Sequence, residues 1–234
     1  MEEIITTNTE GIPMDLSKSF EYFNPIKVKE RIHIIGCGSV GSTVAENLAR
    51  LGLTKFVLYD FDVVEKHNIV NQMFVQKDIG SLKVEATKSI IENINPEASQ
   101  AITMFPEGYI AQPLDGYVFL CVDNIDLRRE ICEKNKMNRA IKCVFDFRTR
   151  LEDAQTYAAD WGNPREIKNL LKSMDFTHDE AKAATPVSAC GLALGVAPTV
   201  RMVCTAGVCN FMNFVLGKPL KPILVCEPFR MEMY

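Results

Sequence analysis

The sequence predicts an α/β fold built on a doubly wound, mostly parallel sheet, and three observations carry that prediction. Arg31-Ile32-His33-Ile34-Ile35-Gly36-Cys37-Gly38-Ser39-Val40-Gly41 runs an apolar strand into a G-x-G-x-x-G turn. Apolar residues then recur at helical spacing, at Val44, Leu48 and Leu51. Strand-like and helix-like stretches alternate from there to residue 146, as in successive βαβ units. Together they describe a Rossmann-like sheet, extended by a C-terminal half of mixed strand and helix.

Residues 1–30 read as an N-terminal arm whose Phe20, Tyr22, Phe23 and Pro25 pack on the domain edge or on a second subunit. The rest, 31–234, reads as one extended domain, because 234 residues with 47% hydrophobic content can bury one substantial core. Its nucleotide half is 31–146. There the first strand covers 32–35, a helix 42–51, a second strand 55–59 ending in Asp60, and a further helix 80–94. The fourth strand spans 116–122 and puts Asp123 at its carboxyl end, with Asp123 and Asn124 both suited to cap the next helix. An apolar strand at 141–145 leads into Asp146-Phe147-Arg148-Thr149-Arg150.

The second half, 147–234, begins with a strand at 154–159. Residues 160–189 are rich in charge, contain Trp161, Lys172, His178 and Lys182, and read as a crossover segment or lid. The apolar stretch 197–216 is expected to be a buried or dimer-forming helix, and 222–226 a last strand. The charge-free part of that stretch is interrupted by Asn210 and Asn213 and is too short to span a bilayer comfortably.

The glycines let backbone approach a phosphate, the helix amino terminus faces it, and Asp60 can accept hydrogen bonds from a ribose diol. Taken alone, those features read as an NAD-dependent dehydrogenase. The residues beyond the second strand depart from that pattern: an acidic pair, Asp60 and Asp62, then Asn68, Gln72 and Lys83 before and within the next helical segment. The ordered set D-x-D, N-x-x-x-Q and D-I-G-x-x-K (Asp78, Ile79, Gly80, Lys83) resembles the ThiF/MoeB-like adenylyltransferase family, relatives of ubiquitin-activating enzymes. The resemblance continues through Asn93-Ile94-Asn95-Pro96, the strand from Gly116, Asp123-Asn124 and Arg128, and is looser in the C-terminal third.

The resemblance implies attack of a carboxylate on the α-phosphorus of ATP, giving an acyl-adenylate and pyrophosphate. The carboxylate would be the C-terminal glycine of a small ubiquitin-like or sulfur-carrier protein, and the enzyme a homodimer. Gly36, Gly38, Ser39, Gly41, Asp60, Asp62, Asn68, Asn71, Gln72, Lys83 and Asp123 would bind nucleotide. ATP brings several negative charges, so Mg²⁺ is expected as well, with Asp123 its carboxylate ligand. These groups converge at the carboxyl ends of the strands, where open α/β sheets bind ligands.

Two departures bear on the charge of the site. The family pattern places arginine just before the glutamine, where this chain has Asn71, and residues 1–30 contain no arginine. A guanidinium makes bidentate phosphate contacts that asparagine cannot replace. Arg148 is the proposed substitute and Arg128 the second choice; the alternative is that the arginines of this stretch pair with Asp146, Glu152 and Asp153. Should no arginine compensate, the chain would be a degenerate binding or scaffold relative.

Eight cysteines are present without a C-x-x-C pair, so no structural zinc of the four-thiolate kind is expected. Cys37, Cys121 and Cys143 fall in or beside apolar strands and Cys204 and Cys209 on an apolar helix, where a free cysteine behaves as a small hydrophobe. Cys190 lies in a loop before the apolar helix, about where family members that pass the acyl group to a thiol carry their cysteine, and is the candidate nucleophile. A net charge of −4 with no long basic run argues against a nucleic-acid partner. The acidic start Met1-Glu2-Glu3 reads as no targeting signal, so the expected location is cytoplasmic, away from membranes.

Overall fold

A computed structural model describes residues 14–189 and 191–234. Its centre is an eight-stranded sheet in the order β3-β2-β1-β4-β5-β6-β7-β8. The strands are β1 (Ile32–Ile35), β2 (Phe56–Tyr59), β3 (Thr103–Phe105), β4 (Gly116–Leu120), β5 (Ile141–Thr149), β6 (Ala154–Asp160), β7 (Ile223–Glu227) and β8 (Glu232–Met233). The first five in spatial order pair in parallel, and β5 to β8 pair antiparallel. Every residue of β1, β2 and β4 is buried, as expected for strands covered on both faces.

Three helices cover one face. These are α1 (Ser39–Arg50), α2 (Lys83–Ile94) and α6 (Ala197–Val215), which bury Val44 and Leu48, Val84 and Ile91, and Val203 and Phe211 against Ile32, Ile34 and Phe119. The other face carries α3 (Ile125–Asn135) and α4 (Pro164–Ser173), with Ile125, Ile131, Ile167 and Leu170 packed on Ile35, Val118 and Val144. The sheet is therefore doubly wound. After β1 the chain turns to one side for β2 and β3, then returns to the other side for β4, which makes the gap between the carboxyl ends of β1 and β4 the switch point.

The described part of the arm packs on the domain edge: Phe23 is buried with its ring 6.3 Å from that of Phe211, and Leu16 lies against Gly52. Within the stretch 160–189, the part at Pro164–Ser173 is a helix packed on the sheet. Asn163 caps α4 by accepting the Arg165 amide, Pro164 pre-sets its first turn, and the apolar stripe of Ile167 and Leu170 covers the sheet. Part of the charge that suggested a crossover belongs to the outer face of that helix. A short α5 (His178–Ala183) comes next, closed by a capping box between Thr177 and Glu180. β5 also runs on past Phe145 to Thr149, because residues 150–153 turn it into a hairpin with β6.

A polar chain runs from the buried second face to solvent. His33, on β1, has Nδ1 2.9 Å from the Tyr59 hydroxyl and Nε2 2.8 Å from Asp115, whose carboxylate also accepts bonds from Arg31. Burial holds the His33 pKa below its ordinary 6.5, an effect that the Asp115 carboxylate offsets only in part. The unfolded chain thus takes up a proton where the folded one does not. Stability is full above pH 6.5 and falls as the pH drops from there towards the lowered folded value. Thermal melts from about pH 8 to about pH 5 should show the midpoint falling on that limb, and His33→Gln should flatten it. An unchanged slope in the variant would assign the effect to other groups.

Candidate active site

The glycine turn is held against the neighbouring strand by backbone alone. Gly36 ends β1 with φ +94°, and a Cβ there would lie 2.7 Å from the Val122 amide nitrogen and 2.8 Å from the Cys121 carbonyl carbon. At Gly41 a Cβ would lie 1.8 Å from the Gly36 carbonyl oxygen. Only glycine lets the helix settle on the turn and the turn on β4. Ser39 opens α1 and its N-cap, Gly38, supplies no side-chain bond. The first-turn amides, which have no intrahelical acceptor, face the switch point with the positive end of the helix dipole.

Around this turn the structure gathers the acidic and amide residues. Asp60, just after β2, accepts the Cys37 amide at 2.6 Å on one oxygen and the Asp62 amide at 2.9 Å on the other, which fixes it beside the glycines. Burial pushes its carboxyl up, opposed by those two amides and by the charge of Lys83. Lys83, the first residue of α2, is buried and reaches the Asp62 carboxylate at 2.7 Å. Asn68 is buried with its oxygen accepting the Glu65 amide at 2.8 Å. Asn71 sits against Gly195, just before α6, and the Gln72 side-chain oxygen is buried without a donor.

Asp123 stands at the carboxyl end of β4, exposed, and its carboxylate has no hydrogen bond or ion pair among the described residues. The cap of α3 is Asn124 instead, whose oxygen accepts the Asp126 and Leu127 amides at 2.9 and 3.1 Å. The cap of α3 is thus not Asp123. Among the described residues no three His, Cys, Asp or Glu side chains gather to hold a metal. A single free carboxylate fits Mg²⁺, which keeps waters and takes its remaining oxygens from substrate phosphate.

Behind Asp123 lies a buried charge cluster. Asp146 is fully buried on β5, one oxygen bonded to Arg128 and the other to Arg148 Nε at 2.7 Å. Arg128 also donates through Nε to the Val122 carbonyl at 2.7 Å, and so anchors the backbone immediately before Asp123. Arg148 donates to the Ser173 carbonyl and hydroxyl at 2.7 and 2.8 Å and stacks on Tyr157 with its guanidinium carbon 4.1 Å from the ring centre. Both arginines named from sequence as substitutes for the charge absent at Asn71 are engaged in the fold, and Arg150 pairs with Asp153. Cys190 lies outside the described residues.

Two further residues belong to this neighbourhood. Ser42 Oγ accepts the Met73 amide at 3.1 Å and ties the segment carrying Asn71 and Gln72 to α1. Arg201, on α6, brings its guanidinium onto the Met73 sulfur. Ser42 has no sequence signal of its own, whereas Arg201 is the one charged residue of an otherwise apolar helix.

The model of the ThiF family matches residues 26–224. Ubiquitin-like modifier-activating enzyme 5 of Drosophila mojavensis is 30% identical over 161 residues, covering 58% of this chain and 39% of that protein. The enzyme of the same name from Xenopus laevis is 29% identical over 150 residues, covering 64% and 36%. The chain thus spans a little over a third of the length of these curated relatives. Among solved structures, E. coli MccB with MccA-N7isoASN superposes with a TM-score of 0.70 at 16% identity, over 90% of this chain and 65% of that one. PaaA does so with a TM-score of 0.65 at 19% identity, over 89% and 64%. At such identities the likeness is one of fold. The family match takes in the glycine turn, Asp60, Lys83 and Asp123 together, and on that span the chain belongs to the ThiF family.

Proposed function

We propose that this chain is an ATP-dependent adenylyltransferase that activates a carboxylate as an acyl-adenylate. The observation that carries the reading is the convergence at the switch point between β1 and β4 of the glycine turn, Asp60 and an unpaired Asp123. The turn amides and the α1 amino terminus would bind phosphate, Asp60 the ribose, and Asp123 the magnesium ion that neutralises charge on the phosphates. Asp62, held by Lys83, and Asn68, Asn71 and Gln72 would complete the nucleotide wall. A carboxylate oxygen attacks the α-phosphorus, the bond to the β-phosphate bridging oxygen breaks, and pyrophosphate leaves with that electron pair. This chain's part is positioning and charge neutralisation.

The carboxylate is proposed to be the C-terminal glycine of a small ubiquitin-like or sulfur-carrier protein, or of a related peptide. Support comes from the matched relatives, which are ubiquitin-like modifier-activating enzymes, and from E. coli MccB, crystallised with ATP and separately with AMPCPP and MccA. Cys190 would then take the acyl group as a thioester with release of AMP, Arg148 would serve the site through Asp146, and two copies would form a homodimer in the cytoplasm. A degenerate scaffold remains the second reading, favoured by the fact that Arg128 and Arg148 are both committed to Asp146.

Calorimetric titration with MgATP, and in parallel with NADH, tests the proposal. Saturable ATP binding with none to NADH is the expected result. NADH binding alone would overturn it in favour of redox chemistry, and ATP binding without pyrophosphate exchange on any glycine-terminated acceptor would favour the scaffold.

A further inference from the structure

The buried and half-buried cations near the glycine turn have carboxylate partners among the described residues, except Arg201. Lys83 is paired with Asp62, and Arg128 and Arg148 with Asp146. Lys66 and Lys77 on the intervening crossover are exposed. Arg201 is half-buried, and its one hydrogen-bond contact among the described residues is the Met73 sulfur, a weak acceptor for a group with five donors.

Its position leads back to the glycine turn. Met73 donates its amide to Ser42, and Ser42 donates its own amide to the Gly38 carbonyl at 3.0 Å. One turn further along α6, the Cys204 sulfur lies 3.6 Å from the Val40 carbonyl, so this side of α6 is packed against the first turn of α1. Arg201 is thus linked through Met73 and Ser42 to the first turns of α1, the helix whose amino terminus faces the switch point. A half-buried guanidinium without an anion keeps donors free for an arriving phosphate. Nearby, the Gln72 side-chain oxygen is buried and lacks a donor among the described residues.

We infer that Arg201 is a binding residue for the polyphosphate of the nucleotide, supplying the guanidinium that the uncharged Asn71 does not. The inference rests on the proposed ATP site and adds the residue that meets the phosphates beyond the first. Arg201 would contact ATP more than AMP, because its partner is the charge that AMP lacks.

The test is calorimetric titration of the full chain with MgATP and with AMP, on the unmodified protein, Arg201→Met and Arg201→Gln, with thermal midpoints measured alongside. Gln keeps hydrogen-bonding capacity and guards against a misfolded Met variant. Loss of a charge-assisted contact should weaken ATP by about tenfold or more in either variant while leaving AMP within about twofold. ATP affinity unchanged in a folded variant overturns this inference and leaves the site reading standing. Equal loss of ATP and AMP also overturns it, since that marks a packing role. An unmodified chain that binds neither nucleotide overturns both.

Discussion

Asp123→Ala should abolish the magnesium-dependent part of ATP binding and reduce adenylation by about a hundredfold or more while leaving the fold intact. The two halves of that expectation have separate causes. Asp123 is exposed, makes no bond among the described residues and does not cap α3, so its removal should change stability by no more than about 0.5 kcal/mol. Its carboxylate stands at the end of β4, whose backbone touches the glycine turn through Gly36, so a metal ion held there would meet the phosphates proposed to lie on the α1 amides. The measurement is the ATP titration with and without Mg²⁺, and then pyrophosphate exchange with a glycine-terminated acceptor. A variant that keeps the magnesium dependence of ATP binding would remove Asp123 from the site, whatever its effect on turnover.

The sheet and the glycine turn are legible in the sequence because their signals are local. An apolar run into G-x-G-x-x-G needs only its own residues to specify a strand, a turn and a helix, and β1 and α1 stand within a few residues of where the sequence places them. Asp60 and Asp123 are legible for the same reason, each falling at the end of an apolar strand. Which charges neutralise one another across the sheet is not. Arg148 comes after an apolar run and reads either as free for phosphate or as paired with Asp146; β5 continues through it, and Asp146 and Ser173 come together around it only when α4 packs on the sheet. The helix α4 is hidden by its own outer face, where Arg165, Glu166, Lys168 and Lys172 mask the stripe of Ile167 and Leu170. Arg201 is easily passed over because an apolar helix invites a reading as core. A lone charge in such a helix is the signal that points to it.

Breaking the Asp146 cluster should cost more stability than any other single change at the site. Arg128→Met leaves the fully buried Asp146 with Arg148 alone and frees the Val122 and Phe147 carbonyls of their donor, for an expected loss of about 3–5 kcal/mol. Burial of both partners is the reason: Arg128 and Asp146 side chains are 7% and 0% exposed, so water cannot take over the contacts. The pair is expected to be costly to break and cheap to replace, since two desolvated charges recover little more than their own desolvation. The double variant Arg128→Met, Asp146→Leu should therefore be less destabilised than the sum of its single variants, a coupling readable from urea midpoints at constant slope. Additive losses would show that the ions act independently. The same variants also report on the site, because Arg128 holds the carbonyl next to Asp123. At temperatures where Arg128→Met remains folded, its ATP binding should lose part of its magnesium dependence although the Asp123 carboxylate is still present, and undiminished dependence would show that the end of β4 keeps its place without that anchor.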